Sequence, residues 1–569
     1  MADTLSKNRY HVFLIKPSKY DDDGYVISWS RGVITSNSLA CINALTEDVR
    51  DREVLGPDVD VVIHCYDEMV QPIPVKKLCR DLKKTGERGI LCLVGVQTNQ
   101  YARAVDMARE FRSNGIPAMI GGFHVSGSIE MLPDLPPEIK EASDEGITLV
   151  AGEVEVRWPQ LLKDAYEGNL EPIYNFVNDK PALENVVPPF LPNRHLKSFM
   201  TPSSSVDAGR GCPFHCSFCT IINIQGNDMR GRSADDIEKL LRISLAQGID
   251  HIFITDDNFA RHKHWEEIVD RIIYLKEEKG LGFVLQIQVD TVAHKIPNFI
   301  EKLTRAGCRR VFIGLETVNP DNLKATGKYQ NQLKEYRVML QKWHEYGALT
   351  YAGYIIGFPG DTYESIMRDV EFLKRELPLD FAEFFIMTPL PGSKDHQGHY
   401  LAKVPMEADT NLYDTMHVCM KHPKMSNEEL MRAYDDAWKS FYSNDHMMTL
   451  MKRHKNRGKR RRVMLSLVWF CNSVFVEGIH PLLGGFIRMK GRRNRRPGFP
   501  RENALIYYPK RFFELIGSLF ALLALVLKLC WLWNCAAKAA NAGYMDEATT
   551  PVVQPPKPER KLIPVGAAS

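Results

Sequence analysis

The stretch GRGCPFHCSFC places Cys212, Cys216 and Cys219 on one short loop, with three and then two residues between them. Three thiolates so close in sequence can each take one iron of a four-iron cluster, leaving the fourth iron without a protein ligand. Two other uses of the same residues stand beside this one. A structural zinc site asks for four ligands, commonly as Cys pairs or with His partners; His215 lies between two of the cysteines, and no second pair follows nearby. Unligated cysteines are among the most buried residue types and can simply fill a core.

A chain of 569 residues, 44% hydrophobic and 25% charged, is long enough for several cores and reads as three or four globular units. Its net charge of +3 says nothing about partners, so only the local placement of charge is informative. Twelve cysteines, nine of them scattered outside the motif, are not the dense framework of a small secreted protein. The opening MADTLSKNRYHVFLIKP lacks a basic leader followed by an apolar run and a small-residue cleavage site. The expectation is a catalytic part that stays in a reducing cytoplasm.

Short apolar runs at 11–15, 59–64, 90–96, 118–121 and 148–151 alternate with amphipathic stretches such as 100–114. That is the pattern of a doubly wound parallel sheet, expected over residues 1–179. Ligands of such sheets sit outside the strand carboxyl ends, where glycine lets the backbone come close. Gly121 and Gly122, followed by His124, occupy such a place. A polar, Pro-rich linker is expected at 180–207. Apolar runs then resume at 249–255, 283–289, 310–315, 350–356 and 381–387, with helices between, predicting a partial or complete barrel of parallel strands over 208–400. At the strand ends lie Asp256-Asp257-Asn258, Glu316, Gly357-Phe358-Pro359-Gly360 and Pro389-Leu390-Pro391-Gly392. Each alone also fits a helix cap or tight turn. Arg230 and Arg232 fit a solvated helix start better than a carboxylate clamp.

Phe218 directly before the last cysteine, and the order of the later motifs, make CxxxCxxC resemble the signature of the radical S-adenosylmethionine (radical SAM) superfamily. The resemblance implies that Cys212, Cys216 and Cys219 hold a 4Fe-4S cluster whose open iron is chelated by SAM. An electron then splits SAM into methionine and a 5′-deoxyadenosyl radical, which takes hydrogen from an unreactive C–H bond. It further implies cofactor contacts for Phe218, Asp256, Asp257, Asn258, Glu316, Gly357 and Pro359.

Ahead of the cysteines, the turn at 95–99, Gly121-Gly122 with His124, and GEVE at 152–155 resemble the cobalamin-binding domain of one large subgroup. That implies cobalamin contacts for Gly121, Gly122 and His124. The loop KPSKYDDDGYVISW carries no His where some cobalamin proteins place their lower-face ligand, so none is expected from it. The alternative is a flavodoxin-like domain whose glycines only make turns. The fold class expected is α/β: an N-terminal doubly wound, Rossmann-like cobalamin-binding domain, a radical SAM partial (β/α) barrel, and a helical membrane-associating C-terminal region.

Beyond 400, a helical extension (401–450) contains the amphipathic stretch 427–443. Residues 451–540 hold two basic runs, 452–462 and 488–496, each followed by an apolar helix. Such runs suit an anionic membrane face, at about 1 kcal/mol for each surface-close Lys or Arg; Leu-rich and aromatic neighbours do not suit nucleic acid. The uncharged stretch 515–527 falls short of the roughly 20 residues of a span. Monotopic attachment to the cytoplasmic face of the cell membrane is therefore expected, with Trp531 and Trp533 at the interface and a single span near 512–534 as the alternative. A disordered tail is expected over 541–569.

Together these features resemble a cobalamin-dependent radical SAM methyltransferase, implying a lipid substrate and an electron donor such as a reductase, ferredoxin or flavodoxin. In that scheme methylcobalamin hands its methyl group to a substrate carbon radical. KPSKYDDDGYVISW and the domain order look most like the hopanoid C-3 methylases, implying a triterpenoid. The alternatives are an oxidase or cyclase acting on a tetrapyrrole or another lipophilic substrate, and a non-catalytic membrane-attached cobalamin or iron-sulfur sensor.

Overall fold

A computed structural model describes residues 8–552. Six parallel strands form the first sheet: β1 (Asn8–Lys16), β2 (Val59–Asp67), β3 (Arg88–Leu93), β4 (Ala118–Gly121), β5 (Thr148–Gly152) and β6 (Ile173–Phe176), in the order β2-β1-β3-β4-β5-β6. Helices cover both faces, which is why the inner strands read as unbroken apolar runs. The strand order reverses between β1 and β3, and such a switch point opens a crevice at the carboxyl ends. The edge strand β6, IYNF, is mostly half-exposed and carries no such run.

The second sheet holds β7 (Ser203–Val206), β8 (His251–Ile254), β9 (Val284–Val289), β10 (Cys308–Glu316), β11 (Leu349–Ile356) and β12 (Phe381–Ile386), parallel and paired in chain order. Among the described residues β12 and β7 do not pair, so the barrel is partial. Alternation along the strands sorts the faces. Outward, Tyr354 donates to Asp369 at 2.8 Å, and Phe384 meets Trp438 edge-on at 5.3 Å. Trp438 lies on the helix Asn427–Phe441, started by a capping box between Ser426 and Glu429.

Three expectations change. The stretch 180–207 is no loose linker: Leu183, Leu191, Leu196 and Phe199 are buried, and its end is β7. The stretch 451–540 is only partly a surface. Its helix Arg457–Cys471 enters the concave side of the barrel, where Ser466 Oγ lies 2.9 Å from the inward Tyr351 hydroxyl and Phe470 packs 5.3 Å from inward Phe381. The tail does not begin at 541. Asp546 accepts from Arg453 at 2.9 Å and Ala548 is fully buried, while the remainder of the predicted tail, from 553, lies outside the described residues.

Many of the cations expected at a membrane instead hold the fold together. Arg488 faces Asp21 at 3.0 Å, and Arg496 grips Asp409 through two bonds of 2.5 and 2.8 Å. Strand Gly485–Arg488 pairs antiparallel with Trp29–Gly32. Tyr20 and Asn411 exchange backbone–amide bonds of 2.9 and 3.0 Å. The loop KPSKYDDDGYVISW is thus a junction between the first domain, the post-barrel segment and the second basic run.

The last helix, Ala504–Asn541, is about 57 Å long at 1.5 Å per residue. Leu529, Leu532, Ala536 and Ala540 are buried on its C-terminal half. The N-terminal half shows apolar side chains to solvent, Phe513 at 70% and Phe520 at 68% exposure. It is the one described helix long and apolar enough to cross a membrane. One side of that half is nevertheless held to protein: Tyr507 and Arg511 donate to the carbonyls of Lys490 and Arg488.

Candidate active site

The carboxyl ends of the two sheets face each other across a cleft. One cavity, about 940 Å³ counted to its open mouth, has Val94, Gly95, Gly121, Gly122 and Gly152 along its wall and Arg210 and Ile224 on the barrel side. A second, about 710 Å³ on the same count, shares Asn37, Ser38, Phe123, Arg210 and Gln225 with the first and reaches Thr255 and Asp257. Gly122 has φ +150°, and a Cβ there would lie 2.2 Å from Val96 N, so no other residue fits this turn.

The cysteine loop follows directly on Arg210. Cys216 is buried, while Cys212 and Cys219 are partly open. Burial raises all three thiols, that of Cys219 to about 12, and near Cys216 the Lys328 ammonium works against it. Thiols become metal ligands by losing these protons, so a cationic neighbour favours ligation. Segment 326–330 buttresses the loop: Ser217 N donates to Thr326 O at 3.0 Å, and Gln330 Nε2 lies 3.8 Å from Cys216 Sγ. Lys328 is buried, pairs with Glu316 and stands 5.8 Å from the Phe218 ring centroid. Glu316 itself takes a left-handed φ of +66° at the end of β10, a strained conformation for a side chain of this kind. Lys328 and Gln330 lie in a stretch, KATGKYQ, with no motif to mark them.

The other predicted residues divide. Asp257 opens onto the second cavity. Asp256 turns beneath the chain, its buried carboxylate facing the backbone of Ala208 and Gly209, and burial raises its pKa well above the usual range. Asn258 exchanges bonds of 2.9 and 3.2 Å with Asp290, which Arg261 also grips. Asn258 is thus tied to a neighbouring strand end and also bonds the Cys212 thiol, opposing the rise that burial gives it. Backbone N–H groups of Gly357 and Phe358 are tied to Asp361 at 3.1 and 3.0 Å, and Pro359 is exposed beyond them. The Pro391-Gly392 turn packs on the first domain, where a Cβ at Gly127 would lie 2.5 Å from Pro391 O.

His124 departs from expectation. It is fully buried and lines neither cavity, because the helix Phe123–Met131 turns it toward Tyr101, 4.3 Å away between ring centroids. Burial lowers its pKa to about 3, with His396 adding to the shift, so the ring is neutral. Arg230 and Arg232 are not a solvated helix start either. Arg230 holds Glu153 at 2.5 Å, and the buried Arg232 bonds Asp207 at 3.3 Å. Between them Arg210 meets Glu153 at 2.8 Å, Glu155 at 2.6 Å and Asp207 at 2.6 Å. Three arginines and three carboxylates thus close the seam between the GEVE turn and the cysteine loop.

Residues 206–373 match the radical SAM superfamily. The chain is 27% identical to bacteriochlorophyllide d C-12(1)-methyltransferase of Chlorobaculum tepidum, over 63% of this chain and 74% of that enzyme. It is 24% identical to hopanoid C-2 methylase of Rhodopseudomonas palustris, over 64% of this chain and 70% of that one. Its fold is similar to that of TsrM from Kitasatospora setae, a radical SAM methyltransferase solved with cobalamin and a 4Fe-4S cluster bound: TM-score 0.52 and 18% identity, over 69% of this chain and 78% of that one. Residues 206–373 thus carry a radical SAM domain, and the methyltransferase relatives weigh against the sensor reading. The likeness to TsrM is one of fold, and with the domain match it supports a cobalamin-dependent radical SAM methyltransferase with a 4Fe-4S cluster, SAM and cobalamin as cofactors.

Proposed function

We propose that this enzyme methylates an unactivated carbon of a lipophilic polycyclic molecule taken from a membrane, a hopanoid at C-3 in the first instance. The observation that carries the reading is the meeting of two cavities at Arg210. One has a glycine-rich wall at a sheet switch point, and the other reaches from the cysteine loop to the strand ends of the barrel. The donor set fits the cofactors: three thiols on one loop beside a buried cation suit an anionic cluster, and an open, largely apolar crevice with no histidine in its lining suits a corrin with no His below the metal.

In this reading Cys212, Cys216 and Cys219 hold the cluster, and Lys328 balances its charge. Asp257, Glu316 and the Gly357 turn would take SAM, and Gly121 and Gly122 would let the corrin approach the backbone. Bound there, the cluster and SAM supply a hydrogen-abstracting radical and cobalamin supplies a methyl group. The protein's share is to hold the two sites at fixed spacing, keep water out and bring the substrate carbon between them. An external one-electron donor completes the reaction.

Attachment to the cytoplasmic membrane face belongs to the same reading. With one side of the last helix held to Arg488 and Lys490, its exposed apolar side suits lying in the interface better than crossing it. A tetrapyrrole is the second substrate reading, favoured by the likeness to the bacteriochlorophyllide methyltransferase. Anaerobic incubation of the reconstituted enzyme with methyl-deuterated SAM, a reductant and either lipid distinguishes them by which product gains the label. Product oxidised or cyclised without label would instead support the oxidase or cyclase alternative.

A further inference from the structure

The segment that buttresses the cysteine loop has an outer side that nothing above employs. Its inner side is fixed: Thr326 O takes the Ser217 N–H, a Cβ at Gly327 would lie 3.1 Å from His215 O, and Gln330 Nε2 reaches Cys216 Sγ. On the outer side an open groove of about 1120 Å³, counted to its mouth, lies between the helix Pro320–Ala325 and the start of the helix Leu333–Tyr346. Leu323, Leu333 and Lys328 line it, and Tyr329 stands at its edge, 71% exposed. Because Lys328 also neighbours Cys216 and Cys219, the groove leads from solvent to the cation beside the thiols.

The rim of this groove is positive. Lys324 and Lys334 are exposed and form no ion pair among the described residues. Across the loop, Asp395 N donates to Ser217 O at 3.2 Å, and Lys394 beside it is likewise exposed and unpaired. Asp321 is the one exposed carboxylate on 320–334, and Glu316 is taken up by Lys328. Other lysines of the barrel helices do find acids: Lys302 meets Glu266 and Asp270, and Lys374 meets Glu371. Uncompensated like charges around an apolar, aromatic-edged groove are complemented by an acidic surface. The chain beyond 552 carries Lys557, Arg560 and Lys561 against Glu559, so its own tail does not complement this rim.

We propose that this groove docks an acidic one-electron carrier protein, which passes its electron to the cluster held at Cys212, Cys216 and Cys219. The proposal rests on the radical SAM reading above and supplies the place where the external donor binds. The carrier is oxidised by one electron and the cluster gains it; no bond forms or breaks. Tyr329 packs against the carrier, Lys324 and Lys334 steer it, and Gln330, the next residue, touches a cluster ligand. Electron-transfer encounters are small and short-lived, so charge at the rim acts mainly on the rate of association.

The test uses the full chain with its cluster reconstituted, and two reductants: a reduced acidic flavodoxin, and photoreduced 5-deazariboflavin, which is small and uncharged. Stopped-flow bleaching of the cluster absorbance gives the rate of reduction, with no substrate present. Lys324→Glu with Lys334→Glu should slow reduction by flavodoxin about tenfold at low ionic strength, the deficit shrinking as salt screens the rim. Tyr329→Ser should raise the Kd for flavodoxin. Both variants should be reduced by deazariboflavin at the wild-type rate. A double variant that flavodoxin reduces as fast as wild type overturns the proposal, as does one that deazariboflavin reduces just as slowly. Anionic vesicles that block flavodoxin in the wild type would assign the groove to a membrane and overturn it too. Binding is titrated on cluster-free chain as well, so failure to assemble a cluster counts against the radical SAM reading while the Kd still decides the groove.

Discussion

Glu153 of the first domain and Arg210 of the barrel meet at 2.8 Å in a seam where neither side chain is more than 10% exposed. Charges taken this far from water hold only while each keeps its partner. The contact joins the turn beside the glycine-walled cavity to the residue two positions before Cys212, so it fixes the spacing between two cofactor sites. Arg210→Ala leaves the buried Glu155 without its cation, while Glu153 keeps Arg230 and Asp207 keeps Arg232, and should lower stability by about 3–5 kcal/mol, measured by urea unfolding. Arg210→Met paired with Glu155→Gln should recover part of that loss.

Lys328 is a buried cation beside Cys216, so its effect should be electrostatic. Lys328→Met removes a positive charge beside Cys216 and frees Glu316. The reduction potential of the bound cluster should fall, because net local charge sets it; protein-film voltammetry reads the shift. Cys216→Ala should abolish the iron absorbance altogether while leaving the far-ultraviolet circular dichroism unchanged.

Stability should carry the signature of Glu383, which lies buried on β12. Its pKa is about 8 in the folded chain against an ordinary value of 4.5, so between those values the folded state binds the extra proton. The contribution is fully present below about pH 4.5 and is lost as pH rises toward 8, with a slope of up to about 1.4 kcal/mol per pH unit. Comparing urea midpoints of wild type and Glu383→Gln from pH 5 to 8 should show the wild type falling relative to the variant.

Membrane attachment by the last helix should be peripheral. Phe513→Asp with Phe520→Asp changes only exposed positions and should abolish co-sedimentation with anionic vesicles while changing the unfolding free energy by less than about 1 kcal/mol. Wild-type protein should be released from membranes by alkaline carbonate. Retention would mean a span, and would require the Arg511 and Tyr507 contacts to break.

Most of the two sheets was legible because buried parallel strands are apolar runs, and all ten runs noted in the sequence coincide with strands. The cysteine loop and the turns at the strand ends were legible as loops and turns because their spacing is local. What escaped is non-local. Trp29–Gly32 finds its partner strand more than 450 residues away, and the Arg210 seam needs the GEVE turn folded against the barrel. His124 misled because the glycine pair marks a close turn without saying which way the next helix rotates. The basic runs misled for a related reason: sequence shows charge density, and only the fold shows that Asp21 takes up Arg488 and Lys490 and that Asp409 takes up Arg496.

The central claim is best tested with the full-length enzyme, reconstituted anaerobically with iron, sulfide and cobalamin and given a reductant, methyl-deuterated SAM and a hopanoid extract. The account predicts a deuterated methyl group in a triterpenoid and 5′-deoxyadenosine in the same reaction, both lost in Cys216→Ala. Failure to form either product in protein with a verified cluster and bound cobalamin would contradict it.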